Sequence, residues 1–136
     1  MIFIFVVVLI AFGDSDELEP ICQDLLSKRA VVWNRVFDND YSFEDFSKDM
    51  ELLATDGLLL EDMEAFKYFR DNPTDMEKVI SLELCNTKVE KKGSVCHIEG
   101  TILWHLLSQE GSESVSDYYY IEMKKHKDNW YLVSLE

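Results

Sequence analysis

The feature that most constrains this chain is a change of hydrophobic period part-way along it. Before Asn72-Pro73, apolar residues recur three and four apart: Leu18, Ile21, Cys22, Leu25, Leu26, Val32, Trp33, Val36 and Phe37. Beyond it, residues 79–89 alternate, with Ile80, Leu82 and Leu84 on one side. The first spacing stacks side chains along one stripe of a helix, and the second puts them on one face of a strand. Helices followed by a run of strands describe an α+β domain, with N-terminal helices packed on a curved, mainly antiparallel sheet.

The finer reading follows from local chemistry. Pro20 suits the first turn of a helix, so the first helix is expected over residues 20–37. Ser42 and Asp45 form a capping box ahead of a short helix bearing Phe43, Phe46 and Met50. Asp56-Gly57 signals a turn, and Leu58-Leu59-Leu60 reads as a short strand. Met63, Phe66 and Phe69 mark a further helix that stops before Asn72-Pro73. Lys91-Lys92-Gly93 reads as a three-residue hairpin loop, which sets Leu84 opposite Gly100, Leu82 opposite Ile102 and Ile80 opposite Trp104. The second strand is expected over residues 94–107, with Gly100 as a bend. Residues 108–116 read as a polar loop, 117–125 as a third strand and 130–135 as the last.

Residues 1–13 carry no charged side chain, and residues 2–12 are almost unbroken apolar sequence. A helix of that length is too short for a hydrocarbon core of about 30 Å but suits a secretory leader. Ala11 and Gly13 supply the small residues of a cleavage site before Asp14. The expectation is a leader over 1–13, a single domain over 14–136 and an extracellular protein. The 136 residues carry 27 acidic and 13 basic side chains, a net charge of -14. Such a chain repels phosphate backbones and anionic membranes, so neither nucleic acid nor membrane is an expected partner. Secretion permits disulfides, and three cysteines allow at most one internal bridge.

The element order, the capped segment from Phe43 to Asp62, the helix around residues 65–72 and the ending Asp128-Asn129-Trp130-Tyr131-Leu132-Val133 together resemble the nuclear transport factor 2-like superfamily. This is the ketosteroid isomerase-like cone fold, a cystatin-like roll. The resemblance covers about residues 19–135. It implies a cavity between the helices and the concave sheet face, lined by Trp33, Phe37, Phe66, Leu82, Trp104, Tyr119 and Trp130 among others. Such a lining is either a packed core or a pocket for a small hydrophobic ligand. The fold hosts many functions, so it does not choose between them.

Catalysis of the ketosteroid isomerase type needs a carboxylate base in an apolar cavity and an acidic donor facing it. Asp56, Glu61 and Asp62 are the carboxylates in the matching region and Tyr119 is the inward hydroxyl, so Asp56 and Tyr119 carry the alternative, isomerase or dehydratase reading. No inward strand position holds Asp or Glu, which favours a non-catalytic binding protein. His97 and His105 are too far apart for one ion, and no spacing supports a metal site. No cofactor is expected, because nucleophile elbows and phosphate-cradling glycine loops are missing. A cystatin-like inhibitor is disfavoured because its Gln-x-Val-x-Gly loop is absent. Cys85 points outward and Cys96 inward in the expected register, so these two do not bridge; Cys22–Cys96 is the candidate bridge, and three free thiols are the alternative. The outward sheet face carries Val95, Leu103, Tyr118, Tyr120, Tyr131, Val133 and Leu135 among His97, His105 and Glu83. That apolar content points to a homodimer through this face.

Overall fold

The computed structural model describes the backbone from Ile2 and the side chains from Glu17 to Glu136. The side chains of the expected leader over residues 1–13, and of its cleavage point, lie outside those so described. Three helices precede four strands: α1 (Ile2–Asn34), α2 (Phe43–Glu51), α3 (Asp56–Asp71), β1 (Lys78–Lys92), β2 (Val95–Ser108), β3 (Gly111–His126) and β4 (Asn129–Leu135). Short 3-10 turns follow α1 at Arg35–Phe37 and α3 at Pro73–Asp75. The strands form one curved, unclosed antiparallel sheet in the order β1-β2-β3-β4, with the helices packed against it, so the fold is α+β.

The helices follow the apolar spacing. In α1, Leu18, Cys22, Leu25, Leu26, Val32 and Trp33 are buried along one stripe. Leu18 extends that stripe N-terminal to Pro20, so Pro20 sits inside the helix and not at its first turn. The capping box of α2 is present: Ser42 Oγ accepts from the Asp45 N–H at 3.0 Å, and Asp45 accepts from the Ser42 N–H at 3.5 Å. The expected strand at Leu58–Leu60 is instead the first turns of α3. Leu58, Asp62 and Phe66 are all buried at spacings of four, a helical stripe that a strand would not produce. The extended segment lies just before it, where Ala54 bridges Leu132 of β4. The turn signal at Asp56-Gly57 is real, but Asp56 takes the left-handed conformation (φ 53°).

The sheet register departs from expectation at the first hairpin. Lys92 pairs with Val95, so the loop is the two residues Gly93-Ser94. Gly93, at φ 62°, supplies the left-handed first position that two-residue turns require. Of two irregularities in β1, the one between Cys85 and Lys88 places Leu82 opposite Trp104 and Leu84 opposite Ile102. Ile80 falls in one of them and is 59% exposed, so it does not join the inner face. Asn86 and Thr87 fall in the other, over Gly100. A Cβ on Gly100 would lie 2.9 Å from Thr87 Cγ2 and 3.1 Å from the Cys85 carbonyl oxygen, so only glycine fits beneath this bulge.

Residues 108–116 are not a loop. β3 begins at Gly111 and pairs with β2 without a break. The stretch is polar because most of it is exposed, which removes the alternation that would have marked a strand. At the far end, a register shift between Glu122 and Met123 sets Leu135 opposite Ile121. Leu135 therefore packs against the core and not on the outer face.

The core lies between the helices and the inner sheet face, where Phe46, Met50, Ile98, Ile102, Met123 and Leu132 are fully buried. Each such side chain contributes roughly 1.5–3 kcal/mol by leaving water. The helical layer also closes sheet edges. The Gln23 side-chain amide donates to the Leu82 carbonyl at 2.9 Å and accepts from the Leu84 N–H at 2.6 Å. Asn34 does the same for both backbone groups of Val79, at 2.7 and 2.9 Å. On the opposite side, Leu132 of β4 exchanges backbone hydrogen bonds with Leu53 and Thr55.

Candidate functional site

The expected pocket residues divide into two groups. Trp33, Phe66 and Leu82 are buried. Trp33 packs edge-on against Phe46 and Phe69, and Phe46 lies 4.5 Å from Phe66 between ring centroids. Trp104, Tyr119 and Trp130 are half-buried at the margin of the core, with Trp104 and Tyr119 in edge contact at 6.2 Å. Phe37 departs from expectation: it lies in the 3-10 turn after α1 and is 38% exposed.

Among the described residues one charged group is buried, Asp62, at 3% exposure. Arg29 of α1 binds it with both prongs of its guanidinium, Nε to Oδ2 at 2.9 Å and Nη2 to Oδ1 at 2.7 Å. Fork geometry of this kind satisfies both carboxylate oxygens and fixes α1 on α3. Asp62 is thereby a structural anion without a free lone pair aimed at a cavity. A carboxylate on the apolar stripe of a helix, four residues from both Leu58 and Phe66, was the sequence signal that an internal cation awaited it.

Asp56 and Tyr119 are not brought together. Asp56 is exposed, 4.0 Å from the Lys124 ammonium. Tyr119 faces inward opposite Gly100, five residues from Lys124 along β3, or about 17 Å at strand spacing. Asp56 is solvent-exposed while Tyr119 packs against the core, so the two do not face each other within an apolar cavity. Near the end of α1, the Tyr41 hydroxyl donates to Asp49 at 2.6 Å, and burial followed by that bond pushes its pKa well up. Arg35 lies over the Tyr41 ring at 4.2 Å, and Arg70 donates to the Asp38 and Tyr41 carbonyls. This cluster ties α1, α2 and α3 together at one corner.

All three cysteines are free thiols, so the expected Cys22–Cys96 bridge is not formed. Both residues are nevertheless fully buried. Burial, then the neighbouring Cys96, pushes the Cys22 thiol up to about 12, and burial pushes Cys96 up to about 11. Neutral thiols in that setting behave as small apolar groups. Among the described residues no group of three His, Cys, Asp or Glu side chains is placed to hold a metal ion. His97 pairs with Glu122 at 2.8 Å, and His105 Nδ1 meets Ser114 Oγ at 2.8 Å.

The outer sheet face is a mixture. Tyr118 and Tyr120 are 55% and 58% exposed, while Val95, Leu103, Tyr131 and Val133 are half-buried. Tyr118 donates to Glu99 at 2.8 Å, and this bond raises its pKa. At the open end of the sheet, a groove of ≈ 690 Å³ runs between the turn after α3 and the β2–β3 hairpin. Phe37, Met76 and Leu107 give it an apolar floor; Asp75, Glu77, Glu110 and Glu113 rim it, with Lys78 the single cation. The carboxyl of Glu77 is hydrogen-bonded to that of Glu113, and this contact, ahead of the charge repulsion, raises its pKa.

No protein-family model matches the sequence, and a search of curated proteins finds no match. Solved structures share the fold. A protein of unknown function from Mycobacterium tuberculosis, Rv3472, superposes with a TM-score of 0.56 at 15% identity, over 90% of this chain and 72% of its own. The Kfla4162 protein of Kribbella flavida superposes with a TM-score of 0.52 at 13% identity, over 80% of this chain and 86% of its own. At such identities the likeness concerns the fold alone.

Proposed function

We propose that this chain is a secreted, non-catalytic interaction protein of the nuclear transport factor 2-like kind, and that it works through its surface. The observation that carries the proposal is how the buried side chains are engaged with one another. Trp33, Phe46 and Phe66 pack ring against ring, and the one buried carboxylate among the described residues is held by Arg29. An isomerase needs a carboxylate free to take a proton inside an apolar cavity. A carrier needs an empty one. The apolar residues 2–12, with the small residues Ala11 and Gly13 ahead of Asp14, motivate secretion. The exposed pair Tyr118 and Tyr120 motivates a homodimer through the outer sheet face.

The test begins with protein purified from eukaryotic culture medium. Native mass spectrometry is expected to show a chain beginning at Asp14, with no added small-molecule mass, as a dimer that dilutes to monomer. Saturable binding of a sterol or fatty acid, displacing none of the surface contacts, would return the protein to the carrier class. Retention of the full chain inside the cell would remove the secretion argument.

A further inference from the structure

The three free edges of this sheet are not treated alike. β1 is covered at Val79, Leu82 and Leu84 by the amides of Gln23 and Asn34, and β4 is covered at Leu132 by the α2–α3 connector. The remaining edge is the first half of β3. β4 pairs with β3 only over residues 121–126, and beyond it Tyr120 exchanges backbone bonds with Glu136. β3 pairs with β2 without a register shift, so its backbone alternates strictly. Because Tyr120 points its N–H and C=O away from β2, so do Tyr118, Ser116, Ser114 and Ser112. Those groups have no hydrogen-bond partner among the described residues. They make a lane about 20 Å long, in line with β4. An unguarded edge of that length is a template for another strand.

The flanks of the lane state what would fit it. On its inner side stand Glu113, Val115, Asp117 and Tyr119, in alternation, so contrary to expectation two inward strand positions hold carboxylates, both of them exposed. Val115 and Tyr119 are half-buried, with Trp104 and Leu106 of β2 half-buried beside them. Glu77, Asp75 and Glu110 add further negative charge at the Glu113 end, against Lys78 alone. Glu77 and Glu113 meet carboxyl to carboxyl there, which an arriving cation can bridge. A second copy of this chain pairing through the same lane would bring Glu113 and Asp117 against their own counterparts, which like charge disfavours. On the outer side, Ser112, Ser114 and Ser116 are small and leave the approach open.

We infer that the free edge of β3, from Ser112 to Tyr118, receives an extended basic peptide segment as an added strand, with basic, apolar and basic side chains at alternate positions facing Glu113, Val115 and Asp117. Main-chain hydrogen bonds to Ser112, Ser114, Ser116 and Tyr118 provide the affinity, and the acidic flank provides the selection. This deepens the surface-binding reading above and rests on it. The partner is a protein segment identified by that alternation, not by length or net charge alone.

The probe is a blocked seven-residue peptide with lysine, valine and lysine at alternate positions and threonine between them. Two controls replace its lysines by glutamates or methylate its backbone nitrogens. Binding of the lysine peptide is expected to slow amide hydrogen exchange at Ser112, Ser114, Ser116 and Tyr118, and neither control is expected to bind. Ser116→Pro removes one outward N–H without touching the β2–β3 ladder, and is expected to weaken binding by at least about tenfold. The double charge reversal Glu113→Lys with Asp117→Lys is expected to transfer preference to the glutamate peptide, which keeps the test alive if the proline variant folds poorly. Binding without protection of those four amides, equal binding of the methylated peptide, or no binding at all would overturn the inference. Protection that appears with rising protein concentration and no peptide would assign the lane to a second copy. Failure here with a ligand-free interior leaves the surface-binding reading standing; sterol uptake into the interior removes that reading without touching the edge.

Discussion

The two halves of β3 are one continuous strand in two different environments. From Ile121 to His126 it is paired on both sides, and Ile121 and Met123 are buried under the helices. From Gly111 to Tyr120 it is paired with β2, and only Val115 and Tyr119 are even half-buried. Strand formation thus does not require burial here; the β2 ladder alone carries the outer half. The comparison separates what holds the fold together from what is offered to the outside.

The largest effect is expected where the helical layer is tied down over the paired half. Arg29→Ala leaves Asp62 buried without its counter-charge and should cost about 3–5 kcal/mol in denaturant unfolding. The same truncation of Lys28, whose contact with Asp24 is exposed, should cost at most about 0.5 kcal/mol. Next comes the strand itself: Met123→Ala opens a cavity and should cost about 2–5 kcal/mol, whereas Val115→Ala in the open half should cost less than about 1 kcal/mol. Equal costs at the two positions would erase the distinction between the halves.

Edge protection gives a smaller effect. Gln23→Ala exposes the Leu82 carbonyl and Leu84 N–H, and should cost about 1–2 kcal/mol while speeding hydrogen exchange at Leu84. It would also make β1 resemble β3, which can be read as new peptide binding or self-association. The smallest effect concerns the acidic groove. Glu77 holds its proton to higher pH than an ordinary glutamate. Its contribution to stability is present below the ordinary value of 4.5 and is lost as pH rises through its folded-state value. Glu113→Ala should return Glu77 to the ordinary range in an NMR titration of its carboxyl carbon.

What the sequence made legible was what local chemistry decides. The Ser42–Asp45 box and the inner set Leu82, Leu84, Ile98, Ile102, Ile121 and Met123 depend on neighbours a few residues away or on simple alternation. The first hairpin closes on Gly93-Ser94 and not on Lys91-Lys92-Gly93 because two- and three-residue loops both accept glycine, and the bulge at Asn86 and Thr87 restores the inner face that this shift would have lost. Leu58-Leu59-Leu60 was ambiguous because a short apolar run fits either a strand or a buried helical turn. The first half of β3 left no trace, since an exposed strand lacks the pattern that burial imposes. The sites fared worse than the fold. Asp56 and Tyr119 were paired by analogy and lie apart, while Gln23 and Asn34, the residues that close an edge, are polar amides with no distinguishing spacing. Glu77 and Glu113 meet only because a turn and a hairpin converge at the open end.

The last hairpin carries a consequence for the order of assembly. Lys127 and Asp128 both adopt positive φ, at 49° and 68°, in the tight turn that returns β4 to β3. Neither residue is glycine, so the turn is slow to nucleate by itself. The remaining support for β4 comes from far away in the chain, through Leu53, Ala54 and Thr55. Closing so long a loop is entropically slow. β4 is therefore expected to dock late, after the helices have taken their places. Until it does, the edge of β3 that faces away from β2 would be open along its whole length to neighbouring chains.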